Sequence, residues 1–255
     1  MEANSNTPSS AASTSCESNG PKSSLSPLRL VVLGWRWPGK SLTANTILGR
    51  EEFRLERAAE FCVTRHTEVA GRPVTVVDTP GWYSSQDTPL SYKKEIARGA
   101  TLCPPGPHAF LLVIPVGMFT EVDRARIEEH VGLFGERVWR HVLVVFTWAE
   151  VLRTISLERY IRREGADLQR VLEKCRRRYM LINNCVFEEQ TQVGRLMERV
   201  DRIVAEEGGH FLPEEPPALD QNRNLTGDAT RQPGAGEKAN DMVTLAKNVS
   251  SLSTQ

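Results

Sequence analysis

The run Gly34-Trp35-Arg36-Trp37-Pro38-Gly39-Lys40-Ser41 has the spacing G-x-x-x-x-G-K-[ST], with Leu42 completing the segment. These residue types suit phosphate chemistry. Backbone N–H groups at a helix start cradle phosphate oxygens, Lys40 neutralises charge at the β/γ end, and the Ser41 hydroxyl is a ligand for Mg²⁺. The competing reading is a chance match in a tight turn. Two residues of the loop are unusual. Trp37 stands where such loops carry glycine, so it has to tolerate a strained backbone. Pro38 has no N–H to offer, and losing one charge-assisted hydrogen bond is expected to weaken affinity by about 1–3 kcal/mol. Downstream, Val77-Asp78-Thr79-Pro80-Gly81 ends an apolar run with a carboxylate that can help organise Mg²⁺. Gly81 then offers a backbone N–H to a γ-phosphate. Thr64, between the two motifs, carries a hydroxyl that would close over Mg²⁺ and γ-phosphate in a triphosphate state. A surface threonine in a loop is the alternative. Ser41, Thr64 and Asp78 are thus the expected metal ligands.

Positioning these groups takes a strand before the loop and a helix after it, and the apolar pattern supplies both. Leu28 to Leu33 reads as a buried strand, and Gly39 to Leu48 as a helix stopped by Gly49. Further strands are expected from Val74 to Val77, Phe110 to Ile114, Val142 to Phe146 and Tyr179 to Ile182. Ile127, Val131 and Phe134 share one helical face. Other helices are expected from Ser156 to about Arg177 and from Glu188 to Glu206. Continuous apolar strands alternating with amphipathic helices imply an α/β fold, its mostly parallel sheet covered on both faces. Residues 1–27 and 212–255 contain no aromatic residue and are rich in Ser, Asn and Pro. They are expected to be disordered tails around a core at 28–211.

Composition narrows the function classes. Lysine plus arginine and aspartate plus glutamate both number 32 in 255 residues, for a formal net charge of zero. That balance argues against a nucleic-acid binder working through a general basic field. No apolar run approaches the ~18–20 residues that cross a bilayer, and the longest, Ala109 to Val116, contains Pro115. The N-terminus lacks the charged-then-apolar order of a signal peptide, so secretion is not expected. Five scattered cysteines without a Cys-x-x-Cys pair read as reduced thiols of an intracellular protein. His108 reads as a satisfied, half-buried histidine and Trp139 as a core residue. Arg176, Arg177 and Arg178, with acids interspersed nearby, read as a solvated helix face.

Gly34–Ser41 is followed by Leu42-Thr-Ala-Asn-Thr-Ile-Leu-Gly49, then by Val77-Asp-Thr-Pro-Gly-Trp82 and Cys103-Pro-Pro-Gly-Pro-His-Ala-Phe-Leu-Leu-Val113. Together these resemble the GTPases of the immunity-associated protein family (GIMAP), kin of septin- and Ras-like P-loop GTPases. The resemblance runs from about Leu28 to Glu207. It implies a three-layer α/β/α P-loop NTPase G domain with an extra helix, and GTP or GDP with Mg²⁺ as ligand. In this family a T-R-K-[DE] segment selects guanine, and Thr147-Trp148-Ala149-Glu150 stands there. By resemblance Glu150 accepts from the guanine edge, while Trp148 replaces a basic residue and can stack on the base. A helix-start Glu beside a core Trp is the alternative. Asn183 and Asn184 match the family's Asn-Asn beside the base, although strand-end asparagines are also common turn formers.

The same alignment puts Trp82 where Ras-type enzymes carry a water-orienting glutamine. It puts Met118 where some relatives carry an arginine that acts across a dimer. Slow or absent intrinsic hydrolysis is therefore expected, with assembly into a homodimer or homo-oligomer through the G domain. The alternative is a pseudo-GTPase scaffold that binds little nucleotide. The expected location is cytoplasmic, with peripheral attachment to organelle membranes left open; no transmembrane segment is expected.

Overall fold

The computed structural model describes residues 25–37, 39–53, 59–83, 86–185 and 190–213. The tails expected at 1–27 and 212–255 lie almost wholly outside the described residues, and so does Pro38. Six strands form one sheet: β1 (Leu28–Leu33), β2 (Val63–Val69), β3 (Arg72–Asp78), β4 (Ala109–Pro115), β5 (Val142–Thr147) and β6 (Tyr179–Leu181). Their order is β2-β3-β1-β4-β5-β6, and every pairing is parallel except β2 with β3. The helices are α1 (Lys40–Leu48), α2 (Leu90–Arg98), α3 (Glu121–Val131), α4 (Leu157–Arg163), α5 (Ala166–Lys174) and α6 (Gln190–Glu207).

Strand alternation sorts the apolar residues into two cores. Leu28, Leu30 and Val32 of β1 point to the face covered by α1 and α6, where Ile47, Val193, Leu196 and Val200 meet them. Val31 and Leu33 point the other way, towards Ile96 of α2, Ile127 and Val131 of α3, Ile161 of α4 and Leu168 and Leu172 of α5. The result is a three-layer α/β/α sandwich. Because β1 and its parallel neighbours run the same way, the loops after β1, β3, β4, β5 and β6 gather at one edge of the sheet. Crevices at such carboxyl ends are where open α/β sheets take ligands.

Three elements differ from the expectation. β2 is an additional strand, paired antiparallel to β3 through a two-residue turn in which Ala70 and Gly71 both have positive φ, 50° and 79°. Its sequence Val-Thr-Arg-His-Thr-Glu-Val carries charged and polar residues because it is an edge strand, and polar edges discourage further pairing. α2 is likewise additional; only Ile96 within it is fully buried. The single helix expected from Ser156 is instead two. α4 starts on Ser156, whose side chain accepts from the Arg159 N–H, and Gly165 at φ 100° turns the chain into α5.

Candidate phosphate-binding site

The loop after β1 is held in shape by close backbone approach. A Cβ added at Gly34 would meet the Val113 carbonyl oxygen at 2.8 Å and the Lys40 Cγ at 3.2 Å. Only glycine fits there. Trp37 adopts φ 80°, so the left-handed backbone expected at a glycine position is carried by a tryptophan whose indole is 58% exposed. Gly39, at φ 91°, opens α1, and its carbonyl accepts the Thr43 N–H at 2.7 Å.

Lys40 and Asp78 are both buried beside this loop. The Ser41 hydroxyl donates to Asp78 Oδ2 at 2.6 Å, while Asp78 Oδ1 is buried without a hydrogen-bond partner among the described residues. Burial pushes the Asp78 carboxyl up from its ordinary pKa, against the Lys40 charge and the Ser41 hydroxyl, which favour the carboxylate. Burial likewise pushes Lys40 down; the Asp78 charge opposes this and the Arg36 charge adds to it. An orphaned carboxylate oxygen next to a serine hydroxyl is a donor set that a hard divalent cation satisfies. Ser41 and Asp78 therefore fit Mg²⁺. Thr64 does not join them. It lies in β2 opposite Val77, while its neighbour Val63 is opposite Asp78. Alternation thus turns the Thr64 side chain to the sheet face away from Asp78.

Gly81 closes the far side of the loop. A Cβ there would lie 2.7 Å from the backbone N and Cα of Arg36 and 3.0 Å from Lys40 Nζ. The Arg36 N–H donates to the Trp82 carbonyl at 2.7 Å, and Trp35 bridges to Trp82, extending the β1–β3 pairing past Asp78. Trp82 is fully buried and stacks on His130 with centroids 4.7 Å apart. His130 is held in turn by the Thr88 hydroxyl at 2.8 Å and by the Arg126 carbonyl. The indole packs in the core, its Nε1 buried without a hydrogen-bond partner among the described residues. Met118, by contrast, is 89% exposed.

Sequence reasoning counted Arg36 only as a member of the loop and passed over Tyr83. The Arg36 Nη1 donates to the Tyr83 hydroxyl, and the guanidinium lies 5.2 Å from the Tyr83 ring and 5.8 Å from the Trp37 ring. An arginine inside the loop, with an aromatic residue just after Gly81-Trp82, was the available signal.

At the other end of the loop the expected base-side residues converge. A Cβ at Gly39 would lie 3.5 Å from Asn184 Nδ2 and 3.7 Å from Thr147 Oγ1. Trp148 follows Thr147 in a left-handed conformation at φ 61°, with its indole 38% exposed, so it is not the core residue of the alternative reading. Glu150 lies exposed in the short 3₁₀ turn Ala149–Leu152. Burial, and then the Glu150 charge, hold the Cys185 thiol above its ordinary value. Asn184 is buried, with Nδ2 donating to Thr43 Oγ1 at 3.0 Å and Oδ1 accepting from Thr46 Oγ1 at 2.9 Å. Asn183 is exposed; its Oδ1 accepts the Cys185 N–H, and its backbone is held by Gln192. Leu42, half-buried in the first turn of α1, lends its carbonyl to the Thr46 hydroxyl.

The residues set aside in the sequence behave as ordinary structure. His108 Nδ1 accepts the Arg29 N–H and Trp139 is buried, but Arg176, Arg177 and Arg178 lie in the turn after α5 and not on a helix face, Arg176 and Arg178 pairing with Glu207. Among the described residues no helix is long and apolar enough to cross a membrane.

Comparison with known proteins is consistent with this geometry. The profile of the AIG1 family matches residues 28–226. Immune-associated nucleotide-binding protein 5 of Arabidopsis thaliana is 32% identical over 205 residues, covering 77% of this chain and 68% of that protein. GTPase IMAP family member 8 of Homo sapiens is 28% identical over 200 residues, covering 75% of this chain. This chain spans only 29% of that human relative's length. Toc33 of Arabidopsis thaliana, in its crystal structure with GDP and Mg²⁺, superposes with a TM-score of 0.61 at 17% identity, covering 74% of this chain and 88% of that one. At that identity the likeness is one of fold.

Proposed function

The chain belongs to the AIG1 family, and from that premise we propose that residues 28–211 form a G domain that binds GTP and GDP with Mg²⁺. The observation that carries this reading is the Ser41–Asp78 pair, with its unpartnered Oδ1, set beside the buried Lys40. Lys40 would neutralise the β/γ-phosphates, Ser41 and Asp78 would hold the metal, and the metal would screen charge between the phosphates. Gly81 brings its backbone close to Lys40 Nζ, at the end where a γ-phosphate would lie. Thr147, Trp148 and Glu150 would enclose the guanine, with Asn184 holding the frame beneath it.

Hydrolysis is proposed to be slow or absent. Trp82 is sealed in the core and Met118 offers no charge, so neither can orient water or stabilise developing charge. Assembly is proposed through the nucleotide face. Trp37, Met118, Trp148 and Val151 leave apolar side chains exposed on the loops after β1, β4 and β5, at the edge that holds Lys40 and Asp78. Exposed apolar surface gathered in one place favours a partner. The crystal structures of Toc33 include a dimerization-deficient mutant of that protein. A cytoplasmic location is part of the same proposal, with attachment to organelle membranes left open.

Trp37 also supports a second reading, a scaffold with little nucleotide affinity, because the strained tryptophan sits in the phosphate loop itself. Calorimetric titration of the full chain with GDP, GTP and ATP in Mg²⁺ separates the two. Micromolar or tighter guanine binding, lost in Lys40→Ala and absent for ATP, is the expected result. A folded chain that binds no nucleotide leaves the scaffold.

A further inference from the structure

The phosphate loop contains one cation that the proposed function leaves unused. Arg36 springs from the rim at the terminal-phosphate end, since its backbone N and Cα are the atoms that a Cβ on Gly81 would strike, at 2.7 Å. Among the described residues its Nε is buried with no hydrogen-bond partner, and its Nη1 donates to an uncharged acceptor, the Tyr83 hydroxyl. The ring faces of Trp37 and Tyr83 steady the guanidinium without neutralising it. Lys40 lies near enough that the Arg36 charge depresses its pKa, so two cations share the loop with the single carboxylate of Asp78. An orphaned guanidinium N–H, an Nη held only by an uncharged hydroxyl and a surplus of positive charge all call for an anion with several acceptor oxygens. Forked donors of this kind match phosphate oxygens in pairs.

We propose that Arg36 is a terminal-phosphate ligand supplied by the loop itself, whose guanidinium exchanges the Tyr83 hydroxyl for the γ-phosphate of bound guanosine triphosphate. This rests on the guanine-nucleotide reading above and adds its specificity element. GDP lacks the phosphate that Arg36 would reach, so the arginine discriminates triphosphate from diphosphate. The same exchange releases Tyr83, the first residue after the buried Trp82. Nucleotide state is thereby transmitted to the chain beyond the loop. The cation also makes good part of what the loop loses at position 38, where proline has no N–H.

The test is calorimetry on the full chain with GDP and with the non-hydrolysable β,γ-imido analogue of GTP, both in Mg²⁺, with thermal melting to verify folding. Arg36→Ala is expected to weaken analogue binding about tenfold or more, the scale of one lost charge-assisted contact, while GDP affinity stays within about twofold. Arg36→Lys should recover part of the loss. Tyr83→Phe removes the competing acceptor and should strengthen analogue binding relative to GDP. Equal weakening of both nucleotides by Arg36→Ala, or no weakening of either, overturns the proposal while leaving the guanine site standing. A wild-type chain that is folded yet binds neither nucleotide overturns the guanine reading, and this inference with it.

Discussion

Replacing Asn184 with alanine should damage the fold more than any direct contact with a base. Its amide joins the end of β6 to α1, donating to Thr43 Oγ1 at 3.0 Å and accepting from Thr46 Oγ1 at 2.9 Å. Each buried neutral hydrogen bond contributes about 1 kcal/mol net, and a buried group left without its partner adds a desolvation penalty of ~1–3 kcal/mol. The two threonines are not equally exposed to that penalty. Thr46 keeps the Leu42 carbonyl at 3.0 Å, whereas Thr43 is fully buried and loses its donor. The expected destabilisation, two bonds together with the Thr43 penalty, is therefore about 3–5 kcal/mol. It is read as a fall in the urea midpoint at unchanged m-value. Asn183→Ala is the internal control, since its exposed side chain holds only the Cys185 N–H, and it should cost below ~1 kcal/mol. If Asn184→Ala leaves the midpoint where it was and weakens only guanine binding, the assignment of its amide to α1 is wrong.

Asp78→Ala should abolish the Mg²⁺ dependence of nucleotide binding, measured by titration with and without the metal, because Ser41 alone cannot organise the ion. Trp82→Gln should destabilise the chain by about 3–5 kcal/mol, the range for losing a buried tryptophan, and should not accelerate GTP turnover. Its place is filled core, not solvent. A faster phosphate release from that variant would contradict the burial argument. Acid stability should carry a histidine signature. Burial, then the charges of Arg29, His210 and Arg72, depress the His108 pKa to about 4, against the pull of Asp201. The unfolded chain thus takes up this proton first as pH falls. The stability His108 contributes is complete above the unfolded value near 6.5 and is lost progressively down to about 4. Urea midpoints measured across that window should fall, and His108→Gln should flatten the slope.

Much of this arrangement could be read from residue order, and the parts that escaped did so for physical reasons. β4 and β5 are buried on both faces, so their runs are almost wholly apolar and announce themselves, and β1 is broken only at the half-buried Arg29. β2 faces solvent at the edge, and its Arg, His and Glu mask a strand that backbone pairing with β3 creates. α2 buries one residue fully, too little for a periodicity to show. The break at Gly165 depends on a positive φ that an isolated glycine does not disclose. At the site, the meeting of Lys40, Ser41 and Asp78 was legible because the motif spacing places all three beside the ends of β1 and β3. Asn184 could be found but not understood, since its partners Thr43 and Thr46 lie 141 and 138 residues away in the sequence. The side on which Thr64 falls depends on the register of β2 against β3, which only pairing decides.

The stacked pair of Trp82 and His130 has a mechanical consequence. A tryptophan buries roughly 150–250 Å², which at ~25 cal/mol per Å² amounts to about 4–6 kcal/mol resisting its extraction. Its carbonyl is tied to the Arg36 N–H, and its stacking partner is tied to Thr88 just ahead of α2. The chain from Asp78 to Trp82 is thus a riveted plate, and any lever worked by the phosphates has its fulcrum beyond it, at Tyr83. Such a device trades long travel for stiffness. Under the exchange proposed for Arg36, one tyrosine would move, while the Asp78 carboxylate behind the rivet would keep its place.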